Sequence, residues 1–257
     1  MTDQQTKKDA DTRSPVSELW ETVVIIVQAL VIALVIRTFL IQNVFIPTAS
    51  LQPTLLIGDY VAASKYSWGY GQHSFPFGLV PFDGRIFGRE PNRGDIAVFY
   101  NAPTGEDYVK RIIGLPGERI QMKEGRLYIN GEIVSREAQG IGFDSDSRGN
   151  SSGVVLYTET LPNGVSHTIQ EVSDSGYLDN TEEYMVPEAH YFMMGDNRDN
   201  SSDSRVLSQV GYVPADNLIG KGEFTFFSLK DNVAPWKIWL WPTHLRLDRM
   251  FTSVYDL

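Results

Sequence analysis

The sequence predicts a mainly β protein, with a single N-terminal transmembrane helix followed by an antiparallel β domain that carries an inserted hairpin subdomain. Three observations lead there. Residues 22–36 carry no charge and consist largely of Val, Ile, Leu and Ala. Beyond residue 46 the chain turns to short β-type runs separated by Gly, Pro, Asn and Asp. No stretch of that later part repeats the apolar pattern of the first helix, so the body reads as β.

The chain begins with a polar tail over residues 1–21, which has the composition of a disordered segment. The anchor follows over residues 22–43. The uncharged run alone falls short of the ~20 residues a full span needs, and extension past Arg37 supplies the length. Arg37 then lies near one end, where a long side chain can reach the headgroups. A cleavable secretory signal competes, with Ala49-Ser50 as a weak match to the small residues of a cleavage site. A buried core helix also competes, but the apolar residues cover all faces rather than one. Lys7, Lys8 and Arg13 precede the span and nothing basic follows Arg37 until Lys65. The positive-inside rule therefore puts the N-terminus in the cytoplasm and residues 44–257 outside.

Within that outer part, Asp95 to Tyr100 and Tyr108 to Ile113 read as strands, as do Tyr191 to Met194 and Gly222 to Ser228. Leu127 to Val134 reads as a hairpin, with Asn130-Gly131 supplying the positive φ of a tight turn. Two insertions interrupt this pattern. Residues 68–88 are aromatic and rich in Gly and Pro, fitting either an irregular loop on the core or a rim in the membrane interface. Residues 137–185 read as the inserted subdomain, with residues 144–153 as a mobile tip and Pro162-Asn163-Gly164 as a turn. Near the end, residues 236–249 are expected to pack as a terminal segment, with a second membrane contact as the alternative.

Composition narrows the function. A net charge of -10 excludes the clustered basic surface that nucleic acid requires. With no cysteine there is neither a disulfide framework nor a thiolate metal site. His73, His167, His190 and His244 lack the spacing of a zinc site, so neither a metal nor a cofactor is expected. Hydrolytic serine chemistry needs a base. There is no Gly-x-Ser-x-Gly elbow and no Ser-x-x-Lys of the β-lactamase type. A lysine can serve if it is neutral, which demands burial among apolar groups. On a strand, Lys110 shares a face with Tyr108 and Ile112 while Arg111 points away with Val109 and Ile113. Spacing alone leaves open that Lys110 is an exposed strand residue.

Three blocks in order sharpen this. They are Ile46-Pro47-Thr48-Ala49-Ser50-Leu51-Gln52-Pro53-Thr54-Leu55, then Tyr108-Val109-Lys110-Arg111-Ile112-Ile113-Gly114-Leu115-Pro116-Gly117-Glu118, then Gly195-Asp196-Asn197-Arg198-Asp199-Asn200-Ser201-Ser202-Asp203-Ser204-Arg205. Together they resemble the bacterial type I signal peptidases, over about residues 37–220. The resemblance implies a Ser/Lys serine endopeptidase of the plasma membrane that removes signal peptides from secretory preproteins at Ala-x-Ala sites. It makes Ser50 the nucleophile and Lys110 the general base. Thr48 stands where the family commonly has an oxyanion-hole serine, acting beside the Ser50 backbone N–H. Ser201 corresponds to a residue that orients the lysine, and Asp203 and Arg205 to a supporting ion pair. Val44, Ile46, Pro47, Tyr108 and Val109 align with the walls of the shallow substrate pockets. Thr48, Ala49 and Leu51 depart from the family's common Pro-Ser-x-Ser-Met-x-Pro-Thr-Leu pattern. Two other readings share parts of this sequence: a related maturation peptidase of narrower substrate, and a membrane-anchored domain that binds exported chains without cutting them.

Overall fold

The computed structural model describes residues 15–75, 84–145 and 151–257. Helix α1, Pro15–Val35, continues as a π-helical segment, Ile36–Leu40. The stretch Glu18–Leu40 is long and apolar enough to cross a membrane, and none of it is buried against the rest of the protein. Leu19, Leu30 and Ile32 are all exposed. An apolar helix exposed along its length suits a hydrocarbon surrounding.

The helical segment ends earlier than the sequence reading placed the anchor. Ile41, Gln42 and Asn43 are extended, as the first residues of β1 (Ile41–Phe45). Their backbone groups pair with β2 (Asp59–Ser64), in the register Ile41↔Ser64 to Phe45↔Tyr60. Strand pairing satisfies polar backbone that an isolated extended segment could not hide in lipid. The helix end is tied down where it meets the sheet. Lys65 N–H donates to the Leu40 carbonyl at 3.0 Å, and Tyr70 Oη donates to the Phe39 carbonyl at 2.8 Å. The Phe39 ring also packs edge-on against Tyr70 and Phe75.

The remaining strands are β3 (Ile96–Asn101), β4 (Glu106–Gly114), β5 (Arg119–Lys123), β6 (Arg126–Ile129), β7 (Glu132–Ile133), β8 (Ser135–Ser145), β9 (Ser151–Thr160), β10 (Ser166–Glu171), β11 (Tyr184–Met185), β12 (His190–Met194), β13 (Tyr212–Pro214), β14 (Leu218–Ser228) and β15 (Thr252–Ser253). The main sheet runs β1-β2-β14-β3-β4-β12-β13, with β15 on β14; β11-β5-β6-β7 form a second sheet. Its hairpin turns at Asn130 and Gly131, both with positive φ, as that dipeptide demands. The ladders are antiparallel throughout these sheets.

Residues of the expected insertion divide between two sheets. β8, β9 and β10 make a sheet of their own, in the order β10-β9-β8, whereas Tyr184 and Met185 return to pair with β5. Gly164, with φ at 84°, closes the turn between β9 and β10. Half of the expected tip, residues 146–150, lies outside the described residues.

Apolar side chains between these layers form the core. Ile113, Ile120, Met122, Leu127 and Phe192 make one cluster, and Phe99, Ile112, Met193 and Trp68 another. Trp68 is thus a core residue, while Ile86 and Phe87 of the same segment are exposed; Phe77 and Phe82 lie outside the described residues. Residues 236–249 are only partly packed: Trp241 packs at a tilt against Phe227 with ring centroids 5.1 Å apart, while Trp236, Ile238 and Trp239 are exposed. A third cluster unites Ile46, Leu51, Leu55, Val61 and Ile96. It fixes the loop after β1, because Leu51 and Leu55 are almost fully buried and each burial contributes roughly 2 kcal/mol.

Candidate active site

Ser50 sits in that loop, directly after β1. Leu51 anchors it from below, Gln52 N–H closes onto the Ala49 carbonyl at 3.0 Å, and Leu55 N–H onto the Leu51 carbonyl at 2.9 Å. Ala49 keeps a negative φ, so a Cβ is tolerated there. Lys110 lies on β4, paired across the ladder with Ala97 of β3, and only 4% of it is exposed. Its Nζ donates a hydrogen bond to Ser50 Oγ. Burial draws the Lys110 ammonium from 10.5 down to about 8, against the opposing pull of the Asp203 and Asp196 carboxylates. A serine hydroxyl therefore faces an amine that can be neutral near physiological pH. Thr48 Oγ1 stands 3.4 Å from Ser50 Oγ, on the open side of the loop.

A cavity of about 370 Å³ opens over these atoms, between β1 and β4. Val44, Ile46, Pro47, Tyr108 and Val109 all line it, with Thr48, Ser50 and Lys110 at its polar end. The sequence reading missed Phe45, Glu106, Asp107, Asn200 and Ser202, which complete the wall. Gln42 Nε2 donates to Asp107 Oδ2 at 3.0 Å, joining the two strands across the outer edge. No histidine lies on this lining. Among the described residues no cluster of three or more His, Asp or Glu side chains offers a metal site.

Asp203 and Arg205 form the expected pair. Arg205 Nε and Nη2 each donate at 2.9 Å to a different oxygen of Asp203, both side chains being buried. Burial alone would raise the Asp203 carboxyl, but Arg205 and the Gly195 N–H outweigh it and hold the group below the usual carboxylate range. Ser201 is also buried, yet its Oγ has no hydrogen-bond partner among the described residues, Lys110 included. It packs instead against Gly195. A Cβ built on Gly195 would come within 2.3 Å of Ser201 Oγ and 2.4 Å of the Ser50 carbonyl oxygen, so only glycine fits.

The other face of β4 is buried as well. Arg111 points away from Lys110, as the strand period requires, into a second buried region. Its Nε and Nη2 donate to the two Asp196 oxygens at 2.8 and 2.6 Å, and its Nη1 to the Gly94 carbonyl at 2.8 Å. Thr54 Oγ1 donates to Asp196 Oδ2 at 2.6 Å. Asp196 thus ties β4 to the loop that carries Ser50. Asn197 adds a second tie, with its N–H donating to the Ser50 carbonyl and its Nδ2 to the Ala49 carbonyl, each at 3.2 Å. Residues 196–197 were legible only as part of a polar block between apolar flanks; Thr54 lies 142 positions from Asp196, Arg111 lies 85 from it, and Ala49 lies 148 from Asn197.

A mainly β domain in which a serine and a buried lysine meet on the floor of an open cavity, with no histidine beside them, is built as a serine hydrolase. The chain belongs to the signal peptidase family: the family described as signal peptidase, peptidase S26, matches residues 19–227. Signal peptidase I of Rickettsia bellii (strain OSU 85-389) is 35% identical over 98% of this chain and 91% of its own. Signal peptidase I of Rickettsia akari (strain Hartford) is 39% identical over 88% of this chain and 89% of its own. A solved signal peptidase I from Enterococcus faecalis V583 shares 30% identity over 52% of this chain and 97% of its own, with a TM-score of 0.30.

Proposed function

We propose that this chain cuts signal peptides from exported preproteins at Ala-x-Ala sites through a dyad of Ser50 and Lys110. As a member of the signal peptidase family it is a serine endopeptidase that removes signal peptides. The observation that carries the dyad is the hydrogen bond from the buried Lys110 Nζ to Ser50 Oγ at the cavity floor. Neutral Lys110 takes the Ser50 proton as Oγ attacks the scissile carbonyl. The negative charge that develops on the carbonyl oxygen is met by the Ser50 N–H and the Thr48 hydroxyl. Lys110 then gives the proton to the leaving amine, and water, deprotonated by the same lysine, releases the acyl-enzyme.

Ser201 and the Asp203–Arg205 pair hold the surroundings of the lysine. Val44, Ile46, Pro47, Tyr108 and Val109 receive the small side chains, with the substrate extended between β1 and β4 as an added strand. The N-terminal helix, Glu18–Leu40, anchors the enzyme in the bacterial plasma membrane, with the N-terminal tail in the cytoplasm and the β domain from β1 onward on the outer face. The short reach from Leu40 to Ser50 keeps the reaction at the bilayer surface, where a signal peptide's cleavage site lies. The test is cleavage of a detergent-solubilised preprotein with an Ala-x-Ala site by the wild type and by Ser50→Ala, with the new N-terminus read by mass. A cut after the second alanine that disappears in the variant is expected. Cleavage that survives in Ser50→Ala rejects Ser50 as nucleophile.

A further inference from the structure

The sheet formed by β8, β9 and β10 is fastened to the polar loop of residues 195–205 at several points. Arg198 on that loop forms a buried ion pair with Glu159 of β9. Gln170 of β10 donates its N–H to the Asp196 carbonyl at 2.9 Å and accepts from Arg198 N–H at 3.0 Å. One side chain of the sheet goes further, to the residues that hold Ser50. Asp144, near the end of β8, is buried at 8% exposure. Its Oδ1 accepts from Asn197 Nδ2 at 3.1 Å, and its Oδ2 from Asn200 Nδ2 at 3.2 Å. Asn197 is the residue whose other amide hydrogen reaches the Ala49 carbonyl, and Asn200 is part of the cavity wall.

We propose that Asp144 is a positioning residue for the reaction: through Asn197 and Asn200, the inserted sheet sets the orientation of the serine turn and of one wall of the substrate cavity. The proposal rests on the reading of Ser50 as nucleophile. The physical argument concerns the amide of Asn197. An amide presents two donors on nitrogen and an acceptor on oxygen, and either end fits the same space. An ionised carboxylate only accepts. With Asp144 beside it, Asn197 must turn its nitrogen toward the carboxylate, which leaves the second hydrogen aimed at the Ala49 carbonyl. A flipped amide would set oxygen against oxygen. Asn197 Oδ1 has no hydrogen-bond partner among the described residues, so nothing else there fixes the orientation from its other end. Both hydrogen bonds to Asp144 are charge-assisted, about twice as strong as neutral ones. The Ala49 carbonyl is thus held through a side chain of the inserted sheet that is not part of the cavity lining.

The experiment uses the full-length chain in detergent and a fluorogenic peptide carrying an Ala-x-Ala site, with kcat, KM and the melting temperature measured separately. Asp144→Ala is expected to lower kcat about tenfold, because loss of alignment in the attack step appears in turnover. KM should rise less, through Asn200, and the melting temperature should fall by a few degrees as two charge-assisted hydrogen bonds are lost. Asp144→Asn keeps the volume but offers one acceptor for two amides, and should lose kcat severalfold. In combination with Asn197→Ala, the Asp144→Ala change should lower kcat no further, since both break the tie to the serine turn, while the rise in KM through Asn200 should remain. Wild-type kcat in Asp144→Asn, or kcat losses that add in full in the double variant, overturns the proposal. Should Asp144→Ala fail to fold, Asp144→Asn alone decides by the same criterion. Ser50→Ala is assayed beside them, and turnover by that variant overturns the nucleophile reading instead.

Discussion

Replacing Lys110 with methionine removes the amine while keeping an unbranched side chain in the same buried slot. The consequence follows from the distance between two pKa values. An exposed lysine titrates near 10.5, and burial brings Lys110 to about 8. The difference, about 2.5 units, corresponds to about 3 kcal/mol, which the folded protein bears when the lysine is charged. Below pH 8 the amine is protonated in both the folded and the unfolded chain, and the full cost applies. As pH rises from 8 to 10.5 the unfolded chain still binds the proton and the folded one has released it, so stability climbs. Above 10.5 the cost is gone. Lys110→Met escapes it at every pH and loses one hydrogen bond to Ser50, worth about 1 kcal/mol. At pH 7 the variant should therefore be more stable by about 2 kcal/mol, or about 4–8 °C in melting temperature. It should be inactive, and its stability advantage should vanish by about pH 10.5. In the wild type, kcat/KM should rise about tenfold per pH unit below 8 and then level off, following the neutral amine. Thermal melts and peptide cleavage between pH 6 and 10 test both statements. A variant less stable than wild type at pH 7, or a wild-type limb that still climbs toward 10.5, would refute the desolvated-lysine mechanism.

Three further perturbations address the scaffold. Gly195→Ala should abolish cleavage, because its Cβ would sit 2.4 Å from the Ser50 carbonyl oxygen; kcat near that of the wild type would mean the loop yields without moving the serine. Thr48→Val should lower kcat by about 10²-fold with KM little changed, and Thr48→Ser should restore it, if its hydroxyl serves the oxyanion; equal rates for valine and serine would remove it from that role. Asp203→Asn leaves the buried Arg205 uncompensated and should cost about 3–5 kcal/mol in a denaturant titration; a loss under about 1 kcal/mol would show that the pair is not needed for stability.

Local chemistry is what the sequence conveyed well. The apolar helix, the Asn130-Gly131 turn and the strands around Lys110 and Tyr191 each depend on neighbours within a few residues, and each is present. The anchor's end was misjudged because β1 is itself partly apolar, and only its ladder with β2 makes it a strand. The block pattern likewise named Ser50, Lys110, Asp203 and Arg205, residues that the structure gathers behind one cavity floor or packs around it. The ties to Asp144, Asn197, Arg111 and Thr54 were not legible, since each joins segments far apart in the chain.

Lys65 shows most clearly where the sequence stops. It is as buried as Lys110, and burial lowers its ammonium to about 8 as well. Its Nζ, however, is spent on the Ser74 carbonyl at 2.6 Å. Composition and strand period determined that this chain has an apolar anchor and a β body, and left open whether Lys110 is buried. Which lysine meets the serine was decided by the antiparallel ladder of β3 and β4 and by the loop after β1, which bring together atoms 60 residues apart. Desolvation is a property of a place in the fold, and that place exists only once the sheet has closed around it.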